Sequence, residues 1–208
     1  IELATTDPAF AADAEAWGKR TGNTFVCSHS EKGVLVVTVK KGGGVSPSQN
    51  RTGNHKNIIV FSGDLDKAIA SFVIANAAAA MGRKVSMFFT FWGLNILRKP
   101  EKVSVKKDII SRMFGAMMPR GAKQLGISKM NMGGMGAKMI RQVMKNKNVD
   151  SLEDLMKSSM ENGVELVACS MSMDVMGLKI EELIDGVRLG GAAAMLAHAE
   201  ESDMSLFI

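Results

Sequence analysis

Tyrosine is absent from the 208-residue sequence, and cysteine and histidine are scarce, with two and three copies. Without tyrosine, a nucleic-acid surface built on aromatic stacking is disfavoured, and we expect no nucleic-acid partner. Two cysteines, Cys27 and Cys169, are too few for a disulfide framework, so a reducing cytoplasm is the expected location. The histidines and cysteines lack metal-ligand spacing, which argues against a zinc site, and no apolar run reaches transmembrane length.

Acidic residues are nearly missing from one stretch of the chain. Between Arg98 and Lys147, thirteen bases are opposed only by Glu101 and Asp108. The same stretch contains eight of the seventeen methionines, so it combines positive charge with flexible apolar side chains. The whole composition, 46% hydrophobic and 23% charged, is that of a globular protein with a full core.

The first forty residues predict a β-α-β-β unit. Ile1 to Thr6 has the pattern of a strand, and Asp7-Pro8 is a helix-start signal. Thr24 to Ser30 and Val34 to Lys40 are two further strands, and the short glycine-containing turn between them predicts a hairpin. The unit is small for an independent core, so residues 1–41 are interpreted as part of a domain. A first residue other than Met predicts a fragment or a chain with an earlier start.

A glycine-rich, polar stretch without apolar periodicity, residues 42–56, predicts a flexible linker and the clearest domain boundary. The second unit, 57–208, opens with a strand at Ile58 to Phe61, an alanine-rich helix at Asp66 to Met81 and a strand at Val85 to Phe91. This β-α-β order predicts parallel strands joined by a right-handed crossover.

Residues 92–148 depart from strand-helix alternation and are interpreted as an insertion with helices at Ile109 to Met118 and Ala137 to Lys147. The second helix has an apolar stripe at i, i+4 and i+8, formed by Met135, Met139 and Val143. We favour core packing or self-association of this stripe, because helical apolar stripes are usually buried. The alternative is an adaptable basic surface for a partner or a membrane.

The remaining sequence returns to alternation. It predicts a helix at Ser151 to Asn162, a buried strand at Val164 to Ala168, a helix near Lys179 to Asp185, a final helix ending near Ser202, and a strand at Met204 to Ile208. At least four strands alternate with helices in this unit. The fold class is therefore α/β, with a doubly wound, mainly parallel sheet and an inserted Met-rich helical segment.

Cys169 lies where the predicted strand Val164 to Ala168 ends, and reaction sites in open α/β sheets gather at the carboxyl ends of strands. If a helix or tight turn follows, backbone N–H groups favour a thiolate, which predicts a reactive cysteine. The competing interpretation is a buried, inert cysteine, the better supported of the two from position alone. The loop from Phe61 to Asp64, at the tip of the first strand, is a candidate neighbour of Cys169.

The segment CSMSMDVMGL, Cys169 to Leu178, with GVELVA before it, resembles the larger single-chain branch of the DsrE/DsrF-like family. The stretches NIIVFSGDLDKAIASFVIANAAAAMGRKVSMFFTFWGL and GGAAAMLAHAEESDMSLFI extend the resemblance over about Asn57 to Ile208. The resemblance implies a flavodoxin-like three-layer α/β/α fold, homo-oligomers, and a cysteine that carries sulfane sulfur as a persulfide. Cys169 occupies the matching position.

The stretch TTDPAFAADAEAWGKRTGNTFVCSHSEKGVLVVTVKK resembles the C-terminal portion of a TusA (SirA-like) domain. That family's functional cysteine lies in a CPxP motif near its N-terminus, and this chain has no CPxP. Cys27 lies in a different element and does not inherit the role; it is interpreted as a structural strand residue. Either the missing elements precede Ile1 or the remnant is structural. Related chains fuse TusA-like, rhodanese-like and DsrE-like modules, which implies sulfur relay between such partner proteins.

The predicted function is a sulfur carrier or sulfurtransferase that uses Cys169 without a cofactor. Ser170, Ser172 and the backbone N–H groups after Cys169 are candidate donors to its anion, and Asp174 either caps the following helix, which we favour, or orients the site. No acid, histidine or second cysteine adjoins Cys169, which disfavours a disulfide or Cys-His mechanism. The alternative function is a non-enzymatic docking module that uses residues 98–147 to bind an acidic partner or, less favoured, a membrane surface. A third and weaker interpretation is a thiol peroxidase, and the absence of a nearby resolving cysteine in this sequence counts against it.

Overall fold

The computed structural model describes residues 1–5, 10, 11, 14, 15, 18, 23–31, 34–42 and 54–208. Three strands of the first unit form an antiparallel sheet in the order β1-β3-β2: β1 (Glu2–Thr5), β2 (Thr24–Glu31) and β3 (Val34–Lys40). Helical backbone at residues 10, 11, 14, 15 and 18 lies between β1 and β2, and Val37 and Val39 are buried with Ala14. The helix-start signal Asp7-Pro8, the hairpin turn and most of the linker fall outside the described residues.

A second, five-stranded sheet is parallel throughout and has the order β7-β6-β5-β4-β8. Its strands are β4 (His55–Val60), β5 (Lys84–Phe89), β6 (Glu165–Cys169), β7 (Arg188–Gly190) and β8 (Met204–Phe207). The α-helices of this unit are α1 (Leu65–Ala80), α2 (Ile109–Met117), α3 (Met135–Asn146), α4 (Leu152–Glu161), α5 (Ser170–Val175) and α6 (Ala192–Glu201). Short 3₁₀ helices span Phe91–Leu97, Ala122–Gln124, Met132–Gly134 and Ile180–Glu182.

Helices flank both faces of this sheet, as the sequence predicts. Connections from β4 through β5 and β6 to β7 run one way across the sheet, whereas β7 connects back to β8 at the opposite edge. Because parallel crossovers are right-handed, that reversal places α6 on the other face from α1 and α4. The α/β class with a mainly parallel sheet is therefore confirmed. The layers are those of a flavodoxin-like fold, and the strand order, counted within this sheet, is 4-3-2-1-5.

The main core lies between the sheet and the face that carries α1 and α4. Ile58, Met87 and Leu166 come from three adjacent strands and are almost fully buried there. Phe72 of α1 packs on Phe89 of β5, with their ring centroids 5.9 Å apart. The apolar run of β5 is buried at five of six positions, as expected for a central strand covered on both faces.

The predicted helix near Lys179 to Asp185 is wrong apart from one 3₁₀ turn, Ile180–Glu182. The chain leaves that turn to meet the inserted segment: Leu183 forms a bridge with Arg98, and the Ile184 N–H donates to the carbonyl of Leu97 at 2.8 Å. These tertiary hydrogen bonds replace those of a continuing helix. Strand β7, only three residues long, was not predicted.

The apolar stripe of α3 is exposed within this chain, so core packing, one of its two predicted roles, is wrong, and self-association of the stripe stays a prediction. Met135, Met139 and Val143 are 59%, 59% and 51% exposed. The residues that α3 buries are instead Gly136 and Ala137. The helix thus packs against the rest of the protein through small residues, and its apolar stripe faces outward.

Among the described residues, the structure contains no helix that combines the length and the apolar character needed to cross a membrane.

A buried carboxylate, that of Glu182, joins the inserted segment to the sheet unit. The side chain of Lys107 contacts it, and the guanidinium groups of Arg120 and Arg98 lie 3.4 and 3.6 Å away. It also accepts the N–H of Lys179 at 3.1 Å. Burial opposes ionisation, but the hydrogen bonds from Lys107 and Lys179 and the nearby positive charges outweigh it, so the pKa of Glu182 lies below its ordinary value.

Replacement of this carboxylate by an amide should destabilise the fold and change its response to acid. Glu182→Gln leaves three cations without their anion, and we expect a loss of about 3 kcal/mol in the free energy of unfolding at neutral pH. Because the folded pKa lies below the unfolded value, the stabilisation is present above the unfolded pKa and is lost as pH falls through the folded pKa. Denaturant unfolding followed by circular dichroism across that acidic range should therefore show a shallower pH dependence in the variant.

Glu181→Gln is the matched control, because it removes the same charge from the neighbouring, exposed position. Its effect should stay within about 0.5 kcal/mol. Equal losses in the two variants would contradict the role assigned to the buried carboxylate.

Candidate functional site

Cys169 is the last residue of β6 and lies at the carboxyl edge of the parallel sheet. Strand β6 runs between β5 and β7, with Ala168 opposite Phe89 and Cys169 opposite Gly190. Successive side chains of a strand point to opposite faces. Leu166 and Ala168 accordingly enter the main core, whereas Cys169 faces the other side of the sheet. The predicted position of this cysteine at a strand tip agrees with the structure.

The thiol of Cys169 lies under a cover of apolar side chains and is not at the surface. The residue is 4% exposed and clusters with Phe88 and Val167, and Ile59 and Met195 pack against this group. Of the two sequence interpretations, the buried environment is the one observed. A reagent therefore reaches the sulfur only if this cover moves.

The cover includes α6, which is packed shallowly on its face of the sheet. None of its ten described residues is buried, although Met195 packs against the Cys169 cluster. The helix comes close because Gly190 has no side chain: a Cβ there would lie 2.7 Å from Cγ1 of Val167 and 3.4 Å from Cβ of Ala194. A helix without a fully buried residue is packed less tightly than the core, and such elements open more readily.

Both serines proposed beside Cys169 are buried in α5, which begins directly after the cysteine. Ser170 is 4% exposed and Ser172 is fully buried. The hydroxyl of Ser172 lies 2.7 Å from Oγ1 of Thr90, the residue that follows β5. This bond ties α5 to the tip of the adjacent strand. Thr90 was missed by the sequence analysis, although the carboxyl ends of neighbouring parallel strands must share an edge.

Asp174 does not cap a following helix, and that prediction is wrong. It lies exposed in the last turn of α5, where its backbone carbonyl accepts the N–H of Gly177 at 3.1 Å. Its side chain instead borders a cavity of about 210 Å³, together with Ser170, Met173 and Lys179. The alternative prediction, that Asp174 orients the site, stays a prediction and is compatible with its position beside this cavity.

The loop at the tip of β4 belongs to a strand that is not adjacent to the strand of Cys169. The N–H of Phe61 donates to the carbonyl of Ile208, and its carbonyl accepts the N–H of Gly93, both at 2.8 Å. Strand β5 lies between this loop and β6. The second cysteine, Cys27, is exposed on β2 in the other sheet, so the two thiols belong to separate structural units.

In a comparison with known proteins, residues 53–207 match the model of the DsrE/DsrF/DrsH-like family. The protein YrkE of Bacillus subtilis (strain 168), described as uncharacterized, is 54% identical over 151 residues, which cover 73% of this chain and 94% of that protein. The sulfur carrier protein DsrE2 of Allochromatium vinosum is 39% identical over 155 residues, which cover 73% of this chain and 96% of that protein.

Among solved structures, the YchN protein from E. coli aligns with a TM-score of 0.46 and 13% identity, over 74% of this chain and 99% of that chain. The family match spans all five strands of the parallel sheet, and it includes Cys169 with the helix that follows. The chain belongs to the DsrE/DsrF/DrsH-like family.

Proposed function

We propose that this protein is a sulfur carrier that holds sulfane sulfur as a persulfide on Cys169 and relays it between partner proteins. The observation that carries the proposal is that the family match, residues 53–207, contains a single cysteine. A relative named as a sulfur carrier protein is 39% identical over this same part of the chain. A carrier that acts through thiol chemistry in this unit therefore has one candidate sulfur atom.

The transfer is a sulfur exchange without net oxidation. The Cys169 thiolate attacks the outer sulfur of a donor persulfide; the new S–S bond forms as the old one breaks, and the donor leaves as a thiolate. Cys169 then bears the persulfide. An acceptor thiolate repeats the same step on its outer sulfur and restores the Cys169 thiolate. Each attacking thiol must first lose its proton to solvent or to a base.

The apolar cover over Cys169 suits such a carrier. A persulfide beneath Met195 and Phe88 would react with small thiols and oxidants more slowly than a persulfide in water, because they reach it only when the cover opens. Transfer then requires a local opening, for which the shallow helix α6 is the candidate element. The proposed cycle thus alternates between a closed, protective state and an open, reactive one.

We assign supporting roles to the residues after Cys169. Ser170 and the backbone N–H groups at the start of α5 are proposed donors to the persulfide anion, because they follow the cysteine directly and lie at the same buried edge. Ser172 is proposed to position α5 through its bond to Thr90. Asp174 is proposed to orient a sulfur donor at the neighbouring cavity, since it borders that cavity while exposed.

The proposed partners are TusA-like and rhodanese-like sulfur donors and acceptors, and we expect a homo-oligomer in a reducing cytoplasm. Residues 1–41 are proposed to be part of a TusA-like unit. The support is the described sequence of one strand, helical backbone and two antiparallel strands. The domain limits proposed are 1–41, a linker at 42–56, and 57–208 with the insertion 92–148.

The two cysteines should differ sharply in their rate of alkylation. Exposed Cys27 is expected to react with iodoacetamide at the rate of a free thiol, and Cys169 much more slowly, because its cover must open first. Met195→Ala thins that cover, and we expect about a fivefold faster reaction at Cys169, the equivalent of about 1 kcal/mol. Peptide mass spectrometry after timed quenching measures both rates in one sample.

Leu196→Ala is the control, since that neighbouring side chain is 53% exposed and lies on the same helix. It should leave the Cys169 rate unchanged. Equal rates at the two cysteines of the native protein would contradict the closed state described for Cys169.

Incubation with glutathione persulfide or polysulfide should add sulfur at Cys169. We expect the intact mass to rise by one sulfur atom in the native protein and in Cys27→Ser, and the gain to disappear on treatment with dithiothreitol. Cys169→Ser should show no gain. A carrier should also pass the label to a TusA-like acceptor, which the acceptor's mass would record.

The pair of cysteine variants makes the outcome decisive. If Cys169 is alkylated in the native protein but accepts sulfur from no donor, the carrier proposal fails. The non-enzymatic docking function of residues 98–147 would then become the better account.

A further inference from the structure

Helix α2 exposes nearly all of its large apolar side chains. The only residue it buries is Gly115, among the nine that the structure describes. The exposed fractions are 83% for Ile109, 63% for Ile110, 54% for Met113, 43% for Phe114 and 76% for Met117. Exposed apolar area of this extent is unusual on a free protein surface and marks an interaction site.

Helix α3 and the turn before it continue the same pattern. The exposed fractions are 77% for Met130, 60% for Met132, 59% for Met135, 59% for Met139 and 51% for Val143. We call these five residues and the five of α2 the apolar face. Side chains that line a groove are shielded by its walls, whereas these project from their helices. The apolar face is therefore a protruding surface and not a cleft for a peptide.

Arginine side chains anchor both helices by donating to backbone carbonyls. Arg98 donates to the carbonyls of Gly115 and Met118 at 3.0 and 3.2 Å and so fixes the end of α2. Arg141 of α3 donates to the carbonyls of Ala122 and Leu125, each at 3.0 Å. Because anchoring uses polar backbone groups and small residues, the apolar side chains are left free to face outward.

The surroundings of the apolar face are strongly basic. Eight bases between residues 98 and 147 are exposed and form no ion pair with another described residue, among them Lys138, Lys145 and Lys147. The acids of this stretch are Glu101 and Asp108, and Asp108 is engaged in capping α2 by accepting the N–H of Ser111. The partner of this surface must therefore be anionic as well as apolar.

We propose that the apolar face binds an anionic phospholipid bilayer, with α2 and α3 lying in the interface between headgroups and acyl chains. Helices with projecting apolar residues and flanking lysines bind such interfaces, and each base near an anionic surface adds to the affinity. A second copy of this chain is the wrong partner, because symmetric pairing would bring two basic surfaces together. An acidic protein is disfavoured as the partner, because its apolar anchors would need a groove on this surface and the apolar face protrudes.

This surface adjoins the proposed carrier site without containing it. Gly177, just after α5, is packed so closely against Ser111 of α2 that a Cβ would lie 2.7 Å from the Ser111 Cα. Membrane binding through α2 would thus hold the end of α5 near the bilayer. The proposal does not depend on Cys169, and Cys169→Ser should bind vesicles like the native protein.

Vesicle flotation tests the proposal directly. We expect the full chain to float with equimolar phosphatidylglycerol and phosphatidylcholine vesicles at low salt, and to stay unbound with phosphatidylcholine alone. High salt should weaken binding. Glycerophosphoglycerol, which carries the anionic headgroup without acyl chains, should not displace the protein; displacement would show a soluble phosphate site and overturn the proposal.

Paired variants separate the apolar and electrostatic contributions. Lys138→Gln with Lys145→Gln should lower the partition coefficient about thirtyfold, roughly fivefold for each base. Lys157→Gln, at an exposed site on α4, should have no effect. Met113→Gln with Met139→Gln should lower it at least about tenfold. Met81 follows α1 and is 72% exposed, and Met81→Gln should leave the partition coefficient unchanged.

The alternatives give distinct results. If anionic vesicles recruit no protein while sedimentation shows a dimer that Met139→Gln dissociates, the apolar face is an interface between copies and the lipid proposal is wrong. Absence of vesicle binding with a monomer also overturns it and leaves an acidic protein as the partner to test. Circular dichroism of each variant establishes that its fold is intact.

Discussion

The position of the inserted segment depends on one buried carboxylate. Glu182 faces Arg98, Lys107 and Arg120, and the backbone beside it is paired with the insertion through the carbonyl of Glu182 and the N–H of Lys99 at 2.7 Å. Ion pairs of this kind add little net stability, because desolvation offsets attraction, but they strongly disfavour arrangements that leave a charge unpaired. Glu182 therefore specifies where the insertion sits. Helix α2 follows from that placement, because Arg98 also holds its carboxyl end.

The proposed carrier chemistry places a nucleophile where the fold has uneven stability. The sheet face toward α1 is a continuous core, whereas the face over Cys169 has a small apolar cluster and a helix without buried residues among those described. Local opening on that side costs less than global unfolding, so the thiol can be uncovered without loss of the sheet. Burial and reactivity are compatible because they belong to two states of one element, and the Ser172–Thr90 bond keeps the other side of the strand tip in place.

Most of the secondary structure can be predicted from local sequence. A buried central strand appears as an apolar run, and the start of a helix is marked by its N-cap residue. Ser151 begins α4 as its cap, with its hydroxyl accepting the N–H of Asp154, and the apolar run before Cys169 forms β6. Strand β7 has only three residues, which is too short for a recognisable sequence pattern. Periodicity shows that Met139 and its neighbours share one side of α3, but it does not show whether that side meets core or solvent. That distinction depends on Gly136 and Ala137, whose small size lets the opposite side dock.

Charge balance connects the insertion with its surroundings. Inside the protein, the single anion of Glu182 meets three cations, so the buried cluster itself keeps an excess of positive charge. Outside, the exposed lysines of α3 add to that excess, and Asp108 is engaged at the start of α2. The described acids of this chain do not neutralise residues 98–147. The rest of the described chain also leaves the apolar side chains beside those lysines exposed. A bilayer of anionic lipids supplies both missing components at once, negative charge at the headgroups and an apolar phase directly beneath them.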